Sequence, residues 1–162
     1  MNRTMQQIVF LILLLASTLT FAGSIAEYVN VADPKTYITL ETQPDRFVLI
    51  DVASNAIICS PKDKFICFET AGFQFAVPYD LSDSATWTFK GINYKVSKKL
   101  KSPIMGKDGP FWLIEQSGEH TLWFVYSKIS GLIMLGGLGQ PGGAIFMLVQ
   151  SCGFGASVNC SQ

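Results

Sequence analysis

The class of fold is decided by the stretch Phe111-Trp-Leu-Ile-Glu-Gln-Ser-Gly-Glu-His-Thr-Leu-Trp-Phe-Val-Tyr-Ser-Lys-Ile-Ser-Gly-Leu-Ile-Met-Leu135. It contains three apolar runs, Phe111–Glu115, His120–Tyr126 and Leu132–Leu135, separated by two short segments rich in serine and glycine. Short runs of aromatic and β-branched residues between turn residues are typical of strands joined by tight turns. This stretch therefore predicts an antiparallel β-meander.

The same pattern extends over most of the chain. Turn residues bound further short runs at Tyr37–Glu41, Arg46–Val52, Ile57–Ser60, Phe65–Thr70, Phe73–Val77, Thr86–Phe89, Ile92–Val96 and Ala144–Gln150. Many short strands at this spacing predict a mostly β protein, with the architecture of a small antiparallel β-sandwich or barrel.

Two segments are candidates for short helices, and we expect at most one or two helices in all. Ser24-Ile-Ala-Glu27 has the form of a capping box, which predicts a helix over Ile25–Ala32 that ends at Asp33-Pro34. A weaker candidate is Leu81–Trp87, which follows Asp80.

The N-terminus has the three parts of a signal peptide. Arg3 is the only charged residue before the apolar run Ile8–Ala16, and the small residues of Thr20-Phe21-Ala22 follow that run. A bilayer span needs about 20 consecutive apolar residues, so this run is too short to be an anchor. We predict cleavage after Ala22, which leaves residues 23–162 as a single β-rich domain in the periplasm or outside the cell, with no transmembrane segment.

The four cysteines predict a disulfide-stapled domain. In an exported protein an even number of cysteines indicates a disulfide framework. Cys59 and Cys67 flank turn residues and can face each other across a hairpin, and Cys152 and Cys160 flank a segment in which glycines permit a tight reversal. We therefore favour the pairs Cys59–Cys67 and Cys152–Cys160. A metal site is disfavoured because the chain has no Cys-x-x-Cys and only one histidine, and no cofactor is expected.

The charge balance limits the kinds of partner. The formal net charge is zero and only 15% of residues are charged, while 49% are hydrophobic. This composition excludes a disordered chain, a coiled coil and a general nucleic-acid binder. Six lysines, and no acid, lie between Asp83 and Asp108. They form either a solvated sheet edge or, through Lys98, Lys99 and Lys101, a patch for an anionic partner such as an envelope surface.

The aromatic residues permit two interpretations. Trp87, Trp112 and Trp123 all fall in predicted strands. Buried aromatic residues commonly form the core of a β-protein. If Trp112 and Trp123 both point outward from neighbouring strands, they instead form a platform that stacks a sugar ring or a peptide.

Catalytic motifs are sparse. Ser117-Gly-Glu-His120 brings together a hydroxyl, a carboxylate and the only imidazole, but such groups normally come from separate segments, and a polar turn is the simpler interpretation. Carboxylates interrupt apolar runs at Asp51, Glu69 and Glu115. They leave open a small hydrolase of envelope polymers that uses one of these acids with His120.

The C-terminal third has an unusual composition. No charged residue follows Lys128, and eight of the 14 glycines lie within Gly131–Gly155, five of them in the segment Gly136–Gly143. One interpretation is that Leu132–Leu135 and Ala144–Gln150 are central core strands joined by a glycine-rich loop. The other is that this loop inserts into a partner, with Leu138 as the apolar anchor and Gln140 as a hydrogen-bonding amide.

These features favour binding over catalysis. The sequence predicts an exported binding protein, most concretely an inhibitor or immunity-type protein that blocks an extracytoplasmic enzyme or toxin. The candidate partner-binding residues are Leu138, Gln140, Lys98, Lys99, Lys101, Trp112 and Trp123. The alternatives are the hydrolase already described and a structural component of the cell envelope.

Overall fold

The computed structural model describes residues 25–42, 46–49, 52–60, 62–70, 74–118, 121–137 and 143–157, with the backbone alone at 46–49 and 52–53. The predicted signal peptide lies outside these residues. The described chain forms thirteen strands: β1 (Ile25–Asn30), β2 (Tyr37–Glu41), β3 (Arg46–Leu49), β4 (Val52–Asn55), β5 (Ile57–Ile58), β6 (Phe65–Glu69), β7 (Gln74–Pro78), β8 (Thr86–Phe89), β9 (Ile92–Leu100), β10 (Phe111–Ser117), β11 (Leu122–Ser127), β12 (Gly131–Gly137) and β13 (Ile145–Leu148).

Ten of the strands form one antiparallel sheet in the order β4-β3-β2-β1-β13-β12-β11-β10-β9-β8. The predicted meander is confirmed, because β9 to β13 are neighbours in sequence order. The sheet is completed by pairing of β1 with β13, in which Tyr28 lies opposite Leu148. As a result, β12 and β13, the two strands of the chargeless C-terminal third, lie at the centre of the large sheet. This agrees with the interpretation of Leu132–Leu135 and Ala144–Gln150 as central core strands.

The other three strands form a small antiparallel sheet in the order β5-β6-β7, which packs on the inner face of the large sheet. The Phe75 ring lies 5.1 Å from the ring of Phe124 on β11, measured between centroids. The indole Nε1–H of Trp87 donates to the carbonyl of Ala76 on β7 at 3.0 Å. Two sheets with an aromatic core between them confirm the predicted antiparallel β-sandwich.

The predicted helix over Ile25–Ala32 is wrong, because this segment contains strand β1. Burial alternates along it, with Ala26 and Tyr28 inside, and it pairs with β2 on one side and β13 on the other. The hydrogen bonds to two neighbouring strands outweigh the local capping preference. The weaker helix candidate, Leu81–Trp87, is also not helical, since it consists of turns that lead into β8. None of the described residues belongs to a helix that could cross a lipid bilayer.

The Cys59–Cys67 disulfide is present and joins the residues that flank the β5–β6 turn. The two Cα atoms are 5.2 Å apart, and the Cys59 N–H donates to the Cys67 carbonyl at 3.1 Å. This pairing is therefore confirmed. Cys152 is also disulfide-bonded, but Cys160 lies outside the described residues, so the Cys152–Cys160 pairing stays a prediction.

The chargeless segment after β13 packs backbone to backbone against the start of β12. The Leu132 N–H donates to the Phe154 carbonyl at 2.8 Å. The buried Tyr28 hydroxyl donates to the Leu132 carbonyl at 2.9 Å and accepts from the Phe154 N–H at 3.0 Å. A Cβ on Gly153 would lie 1.7 Å from the Leu132 oxygen, so only glycine permits this approach.

Candidate partner-binding surface

The middle strands of the large sheet carry apolar side chains on their outer face as well as their inner one. The strand register aligns Val29, Met147, Met134 and Val125 in one row across β1, β13, β12 and β11. Since side chains alternate between the faces of a strand, Val29, Met147 and Met134 point away from the aromatic core, while Val125 at the end of the row is buried. We use the name central outer face for the outward-facing apolar residues Ile25, Val29, Val31, Trp123, Met134, Ile145, Met147 and Val149.

Several of these side chains are unusually exposed. Val31 is 57% exposed, Val149 56% and Ile145 38%, and Ile25 is exposed too. Scattered exposed apolar residues are ordinary, but a contiguous patch of them marks a surface that contacts another molecule. Here Val31 and Ile145 lie side by side at one end of the β1–β13 pair, and Ile25 and Val149 lie near its other end. Half-buried Val29 and Met147 connect the two ends, and Glu27 is the one charged side chain between them.

Trp123 connects the central outer face to the predicted binding loop. Its partner across β11 and β12 is Gly136, and a Cβ on Gly136 would lie 2.6 Å from the Trp123 ring. The indole therefore lies against the bare backbone of β12, next to the point where the connection to β13 begins. Gly136 and Gly137 belong to β12 rather than to a loop, so the connection itself is residues 138–144. Leu138 and Gln140 lie outside the described residues.

Trp112 lies on the opposite face of the sheet from Trp123. It pairs with inward-facing Tyr126, whereas Trp123 pairs with Glu115. Trp112 is buried, and its indole Nε1–H donates to the Asp83 carboxylate at 3.1 Å. The condition for a two-tryptophan platform is therefore not met, and Trp112 is not part of the central outer face.

Most of the six lysines already have partners within the described chain. Three form ion pairs: Lys99 with Asp83 at 2.9 Å, Lys95 with Glu115 at 2.8 Å, and Lys90 with Glu69. The ammonium group of Lys107 donates to the carbonyls of Gln150 and Ser151. Among the described residues, only Lys98 and Lys101 of the six make neither an ion pair nor a side-chain hydrogen bond.

The predicted lysine site is also divided between the two faces of the sheet. Lys98 pairs with Leu113 and borders the central outer face, whereas Lys99 pairs with Trp112, on the other face. The hydrogen bond from Lys99, followed by that from Trp112, lowers the pKa of the Asp83 carboxyl. Lys101 adds to this shift through its charge. The structure therefore does not bring Lys98 and Lys99 into one patch.

The carboxylates proposed for hydrolysis are also engaged in ion pairs. The hydrogen bond from Lys95 lowers the pKa of Glu115, which favours the ionised form and opposes a role as a general acid. Glu69 is paired with Lys90, while Asp51 and His120 lie outside the described residues. Within the described ranges, His, Cys, Asp and Glu nowhere form a group of three that could hold a metal ion.

The sequence patterns do not predict most of the central outer face. The predicted helix includes Ile25, Val29 and Val31, and the interpretation of Ala144–Gln150 as a core strand gives no outward role to Ile145, Met147 and Val149. The alternation in β1 was a usable signal, because Ala26 and Tyr28 are buried while Ile25 and Val31 are exposed. Asp83, which contacts both Trp112 and Lys99, was also missed, since nothing local indicates its partners.

Comparisons with protein-family models, with curated proteins and with solved structures found no match to this chain. The inference of function therefore depends on the surface itself.

Proposed function

We propose that this chain is an exported binding protein of the inhibitor or immunity type, and that it contacts its protein partner through the central outer face and the connection between β12 and β13. The proposal depends on one observation: an exposed apolar surface lies next to the connection between β12 and β13. Exposed Val31 and Ile145 lie side by side next to the chargeless connection between the two central strands β12 and β13.

The chemistry of this face favours a protein over an anionic envelope surface. Attraction to an anionic surface needs unpaired cations, but Lys90, Lys95 and Lys99 are neutralised by carboxylates. The central outer face contains a single charged side chain, Glu27, which lies between Ile25 and Val29 on β1 and opposite Val149, and Lys98 stands at its border. A patch that is mostly apolar and poor in charges is usual for the centre of a protein–protein interface.

The rigid base of the connection supports the same proposal. Its first strand, β12, packs against Trp123 through Gly136, and its second, β13, is paired on both sides. These contacts fix the two points from which the connection extends, so that it is presented at a defined place beside Val31 and Ile145. Leu138 is the large apolar residue of this segment, and it serves as the anchor in the proposed interface.

The test begins with capture of a partner by the mature protein from the extracytoplasmic fraction of its native source. The captured enzyme or toxin is then assayed with and without purified protein. We expect stoichiometric inhibition that Val31→Lys weakens by at least about thirtyfold, since it places a charge beside Ile145 in the interface. The matched control is Ile57→Lys, at a side chain of similar exposure, 61%, which lies on the small sheet and should leave inhibition unchanged. Equal inhibition by both variants would contradict the proposed surface.

A second variant tests the connection separately. Replacement of residues 138–142 by Asn-Gly keeps Gly137 and Gly143 and leaves both central strands intact. We expect an unchanged melting temperature and a loss of inhibition. Full inhibition by this variant would remove the connection from the interface, and a large fall in melting temperature would show that it belongs to the core.

A further inference from the structure

A cavity of about 440 Å³ lies between the small sheet and the C-terminal segment, away from the central outer face. Its volume falls within the range of roughly 300–1,000 Å³ that is usual for small-molecule sites. The side chains that shape it come from both sheets and from the segment after β13: Ile58, Ile66, Tyr79, Tyr126, Lys128 and Phe154. Gly155 and the disulfide complete the wall.

The wall is built by close packing. Gly155 has a φ of +76°, and a Cβ at this position would lie 2.5 Å from Cγ2 of Ile66. The Tyr126 hydroxyl donates to the Gly155 carbonyl at 3.2 Å, which fixes the segment over the aromatic core. The Cys59–Cys67 bridge holds the opposite side. These contacts fix the positions of the two sides of the cavity relative to each other.

The lining of this cavity contains positive charge and no negative charge. Lys128 is the only charged residue in its lining, which contains no Asp or Glu. Lys128 forms no ion pair with any described residue; its ammonium lies over the Trp112 ring, 5.9 Å from the ring centroid, and Trp112 is outside the lining. A long lysine side chain at the rim, without an ion-pair partner, can turn to a negative group of a molecule whose apolar body occupies the cavity.

We propose that this cavity binds a medium-chain fatty acid, with the alkyl chain against Ile58, Ile66 and Phe154 and the carboxylate at Lys128. A polyanion such as a nucleotide fits poorly because only one cation is present. A cationic amphiphile is repelled by the same ammonium. The Tyr79 side chain, which is half exposed at the cavity, supplies a further hydroxyl for the carboxylate.

The test uses dodecanoate, titrated into the mature protein below its micelle concentration and followed by calorimetry and by chemical shifts of the cavity residues. We expect binding at one site, and dodecanol, which lacks the charge, should bind about tenfold more weakly. Lys128→Gln should abolish the preference for dodecanoate over dodecanol. Lys101→Gln, which removes a lysine outside the cavity, should retain it. Equal affinity for both ligands in the wild-type protein would overturn the role of Lys128.

Two further variants locate the site. Ala156→Phe fills the cavity and should abolish binding, whereas Ala32→Phe, at an exposed turn, should not. If Ala156→Phe lowers the melting temperature, Ser157→Phe blocks the same cavity from an exposed position. Dodecanoate that binds the filled variants as tightly as the wild type, or does not bind the wild type at all, would overturn the proposal.

Discussion

Two segments of unusual composition occupy different parts of the large sheet: the lysine-rich segment 84–107 and the chargeless segment after Lys128. The first contains β8 and β9 at one edge, and the second contains β12 and β13 at the centre. At the edge, three lysines pair with carboxylates. At the centre, strands are paired on both sides and glycine replaces side chains where backbones meet. Half of the lysines in the run of like charges are neutralised by carboxylates from elsewhere in the chain, whereas the run without charges leaves the apolar side chains of Ile145 and Val149 exposed.

The largest expected effect tests the backbone packing of the chargeless segment. Gly153→Ala would place a Cβ 1.7 Å from the Leu132 carbonyl oxygen, so the segment must move away from β12. We expect a loss of about 3 kcal/mol in the free energy of unfolding, measured by denaturant titration. Gly118→Ala is the matched control, because a Cβ there meets nothing within 4 Å. Equal stability of the two variants would show that the segment is not packed as described.

The next effect concerns the disulfide on the other side of the cavity from this segment. The bridge joins cysteines eight residues apart, and a closed loop of this size stabilises the fold by about 2–3 kcal/mol. Cys59→Ala should lower the melting temperature accordingly, while reduction should not further destabilise this hairpin. Non-reducing peptide mapping should show the Cys59–Cys67 and Cys152–Cys160 links. A link between Cys67 and Cys152 would contradict the hairpin.

The strands of the molecule could be predicted from the sequence more completely than the contacts between them. Local patterns located β2 and β8 with the observed bounds, Tyr37–Glu41 and Thr86–Phe89. They failed at β1, where a capping box was outweighed by pairing with strands distant in sequence. The partners of the lysines could not be predicted for the same reason. Lys99 and Asp83 lie 16 residues apart, and only the folded register brings them together. The candidate surface was found only at Trp123 and at the base of the predicted loop.

A smaller effect tests the ion pair at the edge. The pKa of Asp83 is lowered in the folded chain, mainly by Lys99, so ionised Asp83 stabilises the fold at pH values above its unfolded pKa. This contribution is lost as the pH falls through the lowered, folded pKa. Asp83→Asn should therefore melt below the wild type at neutral pH and together with it near about pH 2. Asp80→Asn, at the neighbouring exposed turn, is the control. A difference in melting temperature that persists at the acidic end would indicate that the amide disturbs the Trp112 hydrogen bond rather than the ion pair.

The smallest effect on stability is expected for substitution of Lys98. Comparison of Lys98 with Lys99 distinguishes a lysine that can act in binding from one that stabilises the fold. Lys99→Gln removes the partner of Asp83 and should lower the melting temperature slightly, since exposed ion pairs contribute little. Lys98→Gln removes no ion pair with a described residue and should leave the melting temperature unchanged. Because Lys98 borders the central outer face, its reversal to Glu should instead change the association rate with the partner and the salt dependence of that rate. Lys99→Glu, on the opposite face, should change the melting temperature but leave the association rate as it is. If both reversals altered the rate equally, the lysines would act through their summed charge rather than through the face on which each one lies.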